Sequence, residues 1–286
     1  MSRTWSVGEL TLSGIEARPA GTPLGTVIGL HGGGYGAGYW HHPLLPVASL
    51  LDLGASLGYR VIAIDRPGYG ASRGLVGPDV RMARQAEIVV DLIDGLSAEP
   101  DCGPVFLIGH SMGAILALHV AAHAPSALGG VDISGLPFSF DGSPAGNLSL
   151  EQVDFLPAVS LADARQMFYG PDGTFVPEAL KVHTEVGGPI PAAEIIDAIE
   201  CGYATRKLAP SVRVPVQITR AEHEASSAGD AETLRQCCSL FSDSTRVVPV
   251  VQVASGHNIS LHHVARAYHL RAFAFFDETR VLPGHR

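Results

Sequence analysis

A five-residue turn constrains this chain more than any other feature. Gly109-His110-Ser111-Met112-Gly113 stands between the apolar run Pro104-Val105-Phe106-Leu107-Ile108 and a helix-prone stretch from Met112 to Val120. A strand that must become a helix within so few residues forces one of them into a strained backbone conformation. Glycines on both sides leave room for neighbouring backbone to approach. Ser111, at the apex, is thereby lifted clear of a sheet edge, with the positive end of the following helix behind it. Such a turn requires a sheet to stand on.

The rest of the chain supplies one. Thr26 to Leu30 is a short apolar run that stops at His31-Gly32-Gly33-Gly34, and a helix fits about Leu44 to Leu57. Arg60 to Asp65 reads as a second buried strand, broken by the turn chemistry of Arg66-Pro67-Gly68-Tyr69-Gly70, and a second helix fits Val80 to Leu96. After the elbow helix, Gly129 to Ser134 is a further strand. The order βαβαβαβ implies a parallel sheet with helices on both faces. From about Leu136 to Pro210, Pro, Gly and Asp break the chain into short helical stretches such as Leu161 to Phe168 and Ala192 to Cys201. The rhythm then returns with a strand at Val214 to Thr219, a helix near Ala231 to Phe241, a strand near Val247 to Val253 and a last helix from Ser260 to about Asp277. The expected architecture is an α/β fold with a mostly parallel sheet of about eight strands. Residues 1–135 and 213–286 form its core and 136–212 a helical cap or lid.

Composition narrows the function. The net charge is −9, and the only lysines are Lys181 and Lys207, so no basic footprint for nucleic acid exists. No run approaches the 18 apolar residues of a membrane span, and the first ten residues lack the apolar core of a secretion signal; a cytoplasmic protein without membrane attachment is expected. Cys102, Cys201, Cys237 and Cys238 show no paired spacing, and the adjacent Cys237 and Cys238 read as buried or half-buried helix positions rather than metal ligands or thiol nucleophiles.

For Ser111 to attack a carbonyl it must lose its proton to a base, and thirteen histidines compete for that role. His257 stands out, because it follows a strand and the Ser255-Gly256 turn and precedes the last helix, at the sheet edge where Ser111 also lies. His262 and His263, inside the expected helix, join His119 and His123 as packing or solvated positions. A developing oxyanion needs two fixed donors. The elbow supplies the N–H of Met112, and the glycine loop supplies another, from Gly33 first and Gly34 second, with His31 bracing that loop. The base needs a carboxylate to fix its tautomer, and chain order places it between residues 111 and 257. Glu224 is within a short loop's reach of the strand ending at Thr219; Glu222 and Asp230 are the alternatives.

With these residues placed, the sequence resembles the α/β-hydrolase superfamily over nearly its whole length, from His31-Gly32-Gly33-Gly34 to His257. Asp65-Arg66-Pro67-Gly68-Tyr69-Gly70-Ala71-Ser72 looks like the family's signature after its fourth strand, and Trp40 sits where members often carry tryptophan. The acid loop departs from the family pattern: Ala221-Glu222-His223-Glu224 replaces the usual Gly-x-x-Asp. The resemblance implies a serine hydrolase that cleaves an ester or thioester of a small-molecule acyl substrate through an acyl-enzyme, without a cofactor. Met167, Phe168 and Tyr169 are candidates for an apolar wall. A serine nucleophile argues against the branches that use aspartate at this position, the epoxide hydrolases and haloalkane dehalogenases. Carbon–carbon bond hydrolases, and lyases, cyclases or acyl transferases of specialised metabolism, are alternatives on the same fold. The motifs specify chemistry rather than substrate, and they do not give an oligomeric state.

Overall fold

The computed structural model describes residues 1–75, 81–138, 154–227 and 230–281. An N-terminal hairpin of β1 (Ser2–Val7) and β2 (Leu10–Ala17) leads into β3 (Thr26–Leu30), α1 (Leu50–Ser56), β4 (Arg60–Ile64) and α2 (Met82–Ser97). β5 (Val105–His110), α3 (Met112–Ala122) and β6 (Leu128–Ser134) follow. The intervening segment holds β7 (Phe155–Leu156), α4 (Leu161–Met167), α5 (Pro177–Val186), β8 (Ile190–Pro191) and α6 (Ala192–Leu208). β9 (Val216–His223), α7 (Ala231–Ser239), β10 (Val247–Gly256) and α8 (Ala265–Arg280) complete the chain.

Eight strands form one sheet in the order β1-β2-β4-β3-β5-β6-β9-β10. β2 pairs antiparallel with β1 and with β4, and every other pairing in this sheet is parallel. β3, β4 and β5 are buried throughout, as continuous apolar strands covered on both faces must be. Alternate residues divide between two cores. Ile28, Leu30 and Leu107 pack with α2 and α3 on one face, while Val27, Val61, Phe106 and Ile108 pack with α1 and α8 on the other. The parallel strands from β3 onward end at one edge, which collects the glycine loop after β3, the elbow after β5 and the loops after β9 and β10.

Several expected elements differ in extent. Pro46 interrupts the first helix: Pro46–Ala48 is a 3-10 turn, and α1 starts only after Ser49, whose Oγ accepts the Asp52 N–H at 3.0 Å. α8 begins at Ala265 rather than Ser260, so His262 and His263 precede it, and Ile259–Leu261 is a single 3-10 turn. α5 was not foreseen, and α6 continues past Cys201 to Leu208. The proposed helix start at Val80 and residues 139–153 of the expected cap lie outside the described residues. Cys237 is buried and Cys238 half-buried on α7, as expected.

Candidate active site

The elbow has the strain that its sequence implies. Ser111 has φ 54° and ψ −116°, and its N–H donates to the Ser134 carbonyl at 2.8 Å, tying the turn to β6. A Cβ at position 113 would collide with the Leu30 carbonyl group, at 2.6 Å from its carbon, and would lie 2.7 Å from the His31 oxygen. One at position 109 would lie 2.8 Å from the Gly113 carbonyl carbon. Both obstacles are backbone, so glycine is required. α3 is apolar on all sides and almost wholly buried, which holds the helix end behind Ser111 rigidly.

The glycine loop lies against this turn. A Cβ at Gly32 would stand 3.3 Å from the Ser111 Cβ, and one at Gly33 would stand 3.0 Å from the Met112 Cγ. Gly34 adopts φ 75°, and its N–H donates to the Tyr69 hydroxyl at 3.2 Å. Gly34 is therefore already committed, and Gly33 is the loop residue adjoining Met112. Trp40 is fully buried with its ring against Gly29 of β3, a packing position.

His257 follows an irregular end of β10, where the register shifts between Gln252 and Gly256 and Ala254 takes φ 52°. Its Nδ1 lies 2.9 Å from Glu224 Oε2 and 3.0 Å from Oε1, with both side chains almost fully buried. Ser226, a loop serine with no motif around it, joins them. Its Oγ donates to Glu224 Oε1 at 2.7 Å and lies 2.7 Å from His257 Nδ1, and its N–H donates to the same carboxylate oxygen at 3.0 Å. Burial pushes the Glu224 carboxyl up, but the charge and hydrogen bond of His257 and the two donors of Ser226 outweigh it and hold it down at about 2. The two alternatives are occupied elsewhere. Glu222 accepts the Ala254 N–H at 2.7 Å, and Asp230 caps α7 by accepting the N–H groups of Glu232 and Thr233, both at 3.0 Å.

The imidazole of His257 lies beside the elbow, its ring centroid 4.7 Å from that of His110 and 5.4 Å from that of Phe168. A Cβ at Gly135, just after β6, would come within 2.7 Å of its Cε1. The three aromatic candidates separate. Phe168 faces His257, Tyr169 is buried with its hydroxyl donating to the Ala179 carbonyl at 2.9 Å, and Met167 is exposed.

Two buried polar arrays around His257 have no signal in a single sequence. The first is a directed chain. His110 Nε2–H donates to Asn258 Oδ1 at 3.2 Å, Asn258 Nδ2–H donates to the Tyr35 hydroxyl at 2.7 Å, Tyr35 donates to His183 Nδ1 at 2.7 Å, and His183 Nε2–H donates to the Val159 carbonyl at 3.2 Å. The proton positions are those that satisfy every partner. In the second, His262 is a structural junction and not a helix position. Its Nε2 accepts the N–H groups of Gly256 at 2.9 Å and Gly170 at 3.1 Å, and its Nδ1–H donates to the Asn258 carbonyl at 2.8 Å. Burial holds its pKa down at about 4, so it stays neutral and keeps both acceptor bonds. The segment from Phe168 to Gly170 is thus fastened to the loop that carries His257, a link that the Asn258 N–H reinforces by donating to the Phe168 carbonyl at 2.9 Å.

Sheet order, elbow and glycine loop define a class, and comparison with known proteins agrees. Residues 27–271 match the model of the alpha/beta hydrolase family. The chain belongs to that family and is an enzyme of the α/β-hydrolase class. Solved structures share the fold at low identity. A thermophilic esterase from Thermogutta terrifontis aligns over 98% of this chain and 99% of its own, with 18% identity and a TM-score of 0.69. The monoacylglycerol lipase of Paleococcus ferrophilus covers 94% of this chain and 99% of its own, with 20% identity and a TM-score of 0.68. A proline iminopeptidase from Mycobacterium smegmatis covers 98% of each, with 17% identity and a TM-score of 0.65. No helix among the described residues is long and apolar enough to cross a membrane.

Proposed function

We propose that the protein is a serine hydrolase that cleaves an ester or thioester of a small to medium apolar acyl substrate. Ser111 Oγ attacks the acyl carbon while His257 takes its proton, and the carbonyl electron pair moves to oxygen, where the N–H groups of Gly33 and Met112 receive it. The tetrahedral species collapses with loss of the alcohol or thiol, which takes the proton from His257. Water then attacks the acyl-enzyme with His257 again as base, releasing the acid and restoring Ser111. Glu224 fixes the imidazole tautomer and stabilises its cation. Residues 136–212 act as the cap, and Phe168 supplies apolar surface beside the base.

The observation that carries this reading is the buried Glu224–His257 pair, at 2.9 Å, whose imidazole packs with its ring centroid 4.7 Å from that of His110, the residue before a serine held at φ 54°. A buried carboxylate held charged beside an imidazole supports that imidazole when it becomes cationic. The test is turnover of p-nitrophenyl acyl esters and of acyl thioesters from two to eight carbons, for the unaltered protein and Ser111→Ala. Hydrolysis that disappears in the variant is expected. Turnover retained in Ser111→Ala would refute the covalent mechanism.

A further inference from the structure

The glycine loop can donate to an oxyanion only if its peptide planes are turned the right way, and a trans peptide points its C=O and N–H in opposite directions. The carbonyl of Gly32 and the N–H of Gly33 belong to one such plane. His31 Nδ1–H donates to that carbonyl at 2.8 Å, and the Arg66 guanidinium approaches it at 3.4 Å. Arg66 also fastens the preceding residue: its Nε donates to the His31 carbonyl at 2.8 Å, and its backbone N–H donates to His31 Nε2 at 3.0 Å, which leaves the ring's proton on Nδ1. Burial, and then the charge of Arg66, hold the His31 pKa far below the ordinary histidine value, so the ring remains neutral in this arrangement. With the Gly32 carbonyl turned toward Arg66, the Gly33 N–H is turned away from it. At the next peptide, the Gly34 N–H donates to Tyr69.

Arg66 and Tyr69 are themselves held by one residue of α6. Glu194, fully buried, receives Arg66 Nη1 at 2.6 Å and Nη2 at 3.1 Å, the Tyr69 hydroxyl at 2.7 Å and Gln85 Nε2 at 2.7 Å. Because Tyr69 gives its proton to Glu194, it presents a lone pair to the Gly34 N–H. Burial, and then the neighbouring carboxylate, push its phenol well above the ordinary tyrosine value and keep it protonated for this role. One turn further along α6, Asp197 accepts Arg81 Nε at 2.8 Å and the Met82 N–H at 2.9 Å, so the helix is pinned to the core at both positions.

We propose that Glu194 is a positioning residue for oxyanion stabilisation, setting the direction of the Gly33 N–H through Arg66 and Tyr69. α6 is then a fixed abutment of the glycine loop and not part of a swinging lid. The inference rests on the hydrolase reading, in which Gly33 is a donor. A carboxylate on α6 thus acts on the transition state without touching substrate.

Glu194→Gln and Tyr69→Phe are compared with the unaltered protein in p-nitrophenyl butyrate hydrolysis and in inhibition by an alkyl trifluoromethyl ketone, whose adduct with serine carries the oxyanion. Loosening a donor rather than deleting it should lower kcat about ten- to a hundredfold, leave KM within about twofold, and weaken the ketone by the same factor as kcat. A merely structural role would lower the active fraction, measured by fluorophosphonate titration, without changing kcat per active site. Tyr69→Phe leaves the Arg66–Glu194 ion pair intact and decides the matter alone if Glu194→Gln does not fold. Unchanged kcat per active site in the folded variants, or a change confined to KM, overturns the proposal. If the unaltered protein neither turns over esters nor reacts with the fluorophosphonate, the hydrolase reading falls and takes this inference with it.

Discussion

Replacing Glu224 by glutamine tests the support of the base and separates two contributions that the structure keeps distinct. His257 Nδ1 has oxygen neighbours on two residues: the Glu224 carboxylate, at 2.9 and 3.0 Å, and Ser226 Oγ, at 2.7 Å. Glu224→Gln removes the charge but leaves Ser226 able to accept from Nδ1–H, so the imidazole keeps the tautomer whose Nε2 is free for Ser111. The loss is then that of a charged hydrogen-bond partner, about 1.5–3 kcal/mol. At about 1.36 kcal/mol per decade this predicts a fall in kcat of about ten- to 150-fold. Where a triad acid is replaced and the tautomer inverts, the loss is on the order of 10⁴-fold. Glu224→Gln combined with Ser226→Ala should approach that larger figure, because the backbone N–H of residue 226 still holds the amide oxygen and sets the amide NH2 at the Oε2 position, where it donates to Nδ1 and inverts the tautomer. Initial rates on p-nitrophenyl butyrate, normalised to the folded fraction, measure both. A Glu224→Gln variant within threefold of the unaltered protein, or a double variant no slower than the single one, would refute the reasoning.

Three further outcomes follow from the geometry. Gly113→Ala sets a methyl against the Leu30 carbonyl and 2.7 Å from the His31 oxygen, where only backbone can yield; a loss above about 4 kcal/mol is expected, lowering Tm by at least about 8 °C, and an unchanged melting curve contradicts it. Gly135→Ala, at φ 59°, puts a methyl 2.7 Å from His257 Cε1. It should cost about 10²-fold in kcat through displacement of the ring, for only about 1–2 kcal/mol in stability, and an unaltered kcat refutes the contact. The third concerns acid stability. Burial holds His262 and His119 at about 4 and His269 at about 3, so each is neutral in the folded protein and protonates on unfolding below the ordinary histidine value of 6.5. Their contribution is fully present above pH 6.5 and is lost as pH falls toward 4, whereas that of Glu224 is lost only between about 4.5 and 2. Tm should therefore decline steadily from pH 6.5 to 4.5, and a flat profile over that range contradicts the neutral assignments.

The sheet was legible because local signals and tertiary structure agree there. β3, β4 and β5 are apolar runs closed by turn residues, and the elbow glycines are demanded by backbone contacts that this sharp strand–helix turn creates. What sequence missed depends on chain segments that meet only in space. Ser226 is an unremarkable loop serine until β9 and β10 bring it to His257. Glu194 reads as an ordinary helix carboxylate, yet it is fully buried because Arg66, from another loop, meets it. A lone charge left there would cost about 3–5 kcal/mol, and no periodicity reports a pairing between residues 128 positions apart. His262 departs from the helical expectation for a local reason. The apolar pattern of α8 continues backwards through Ile259 and Leu261, which belong to a 3-10 turn.

The central claim is that Ser111 is the nucleophile, and intact-protein mass spectrometry after treatment with a fluorophosphonate tests it most directly. The account predicts a single adduct that maps to the peptide containing Ser111, forms more slowly in His257→Ala and is absent in Ser111→Ala. An adduct on another residue, or no adduct on a folded protein, would contradict it.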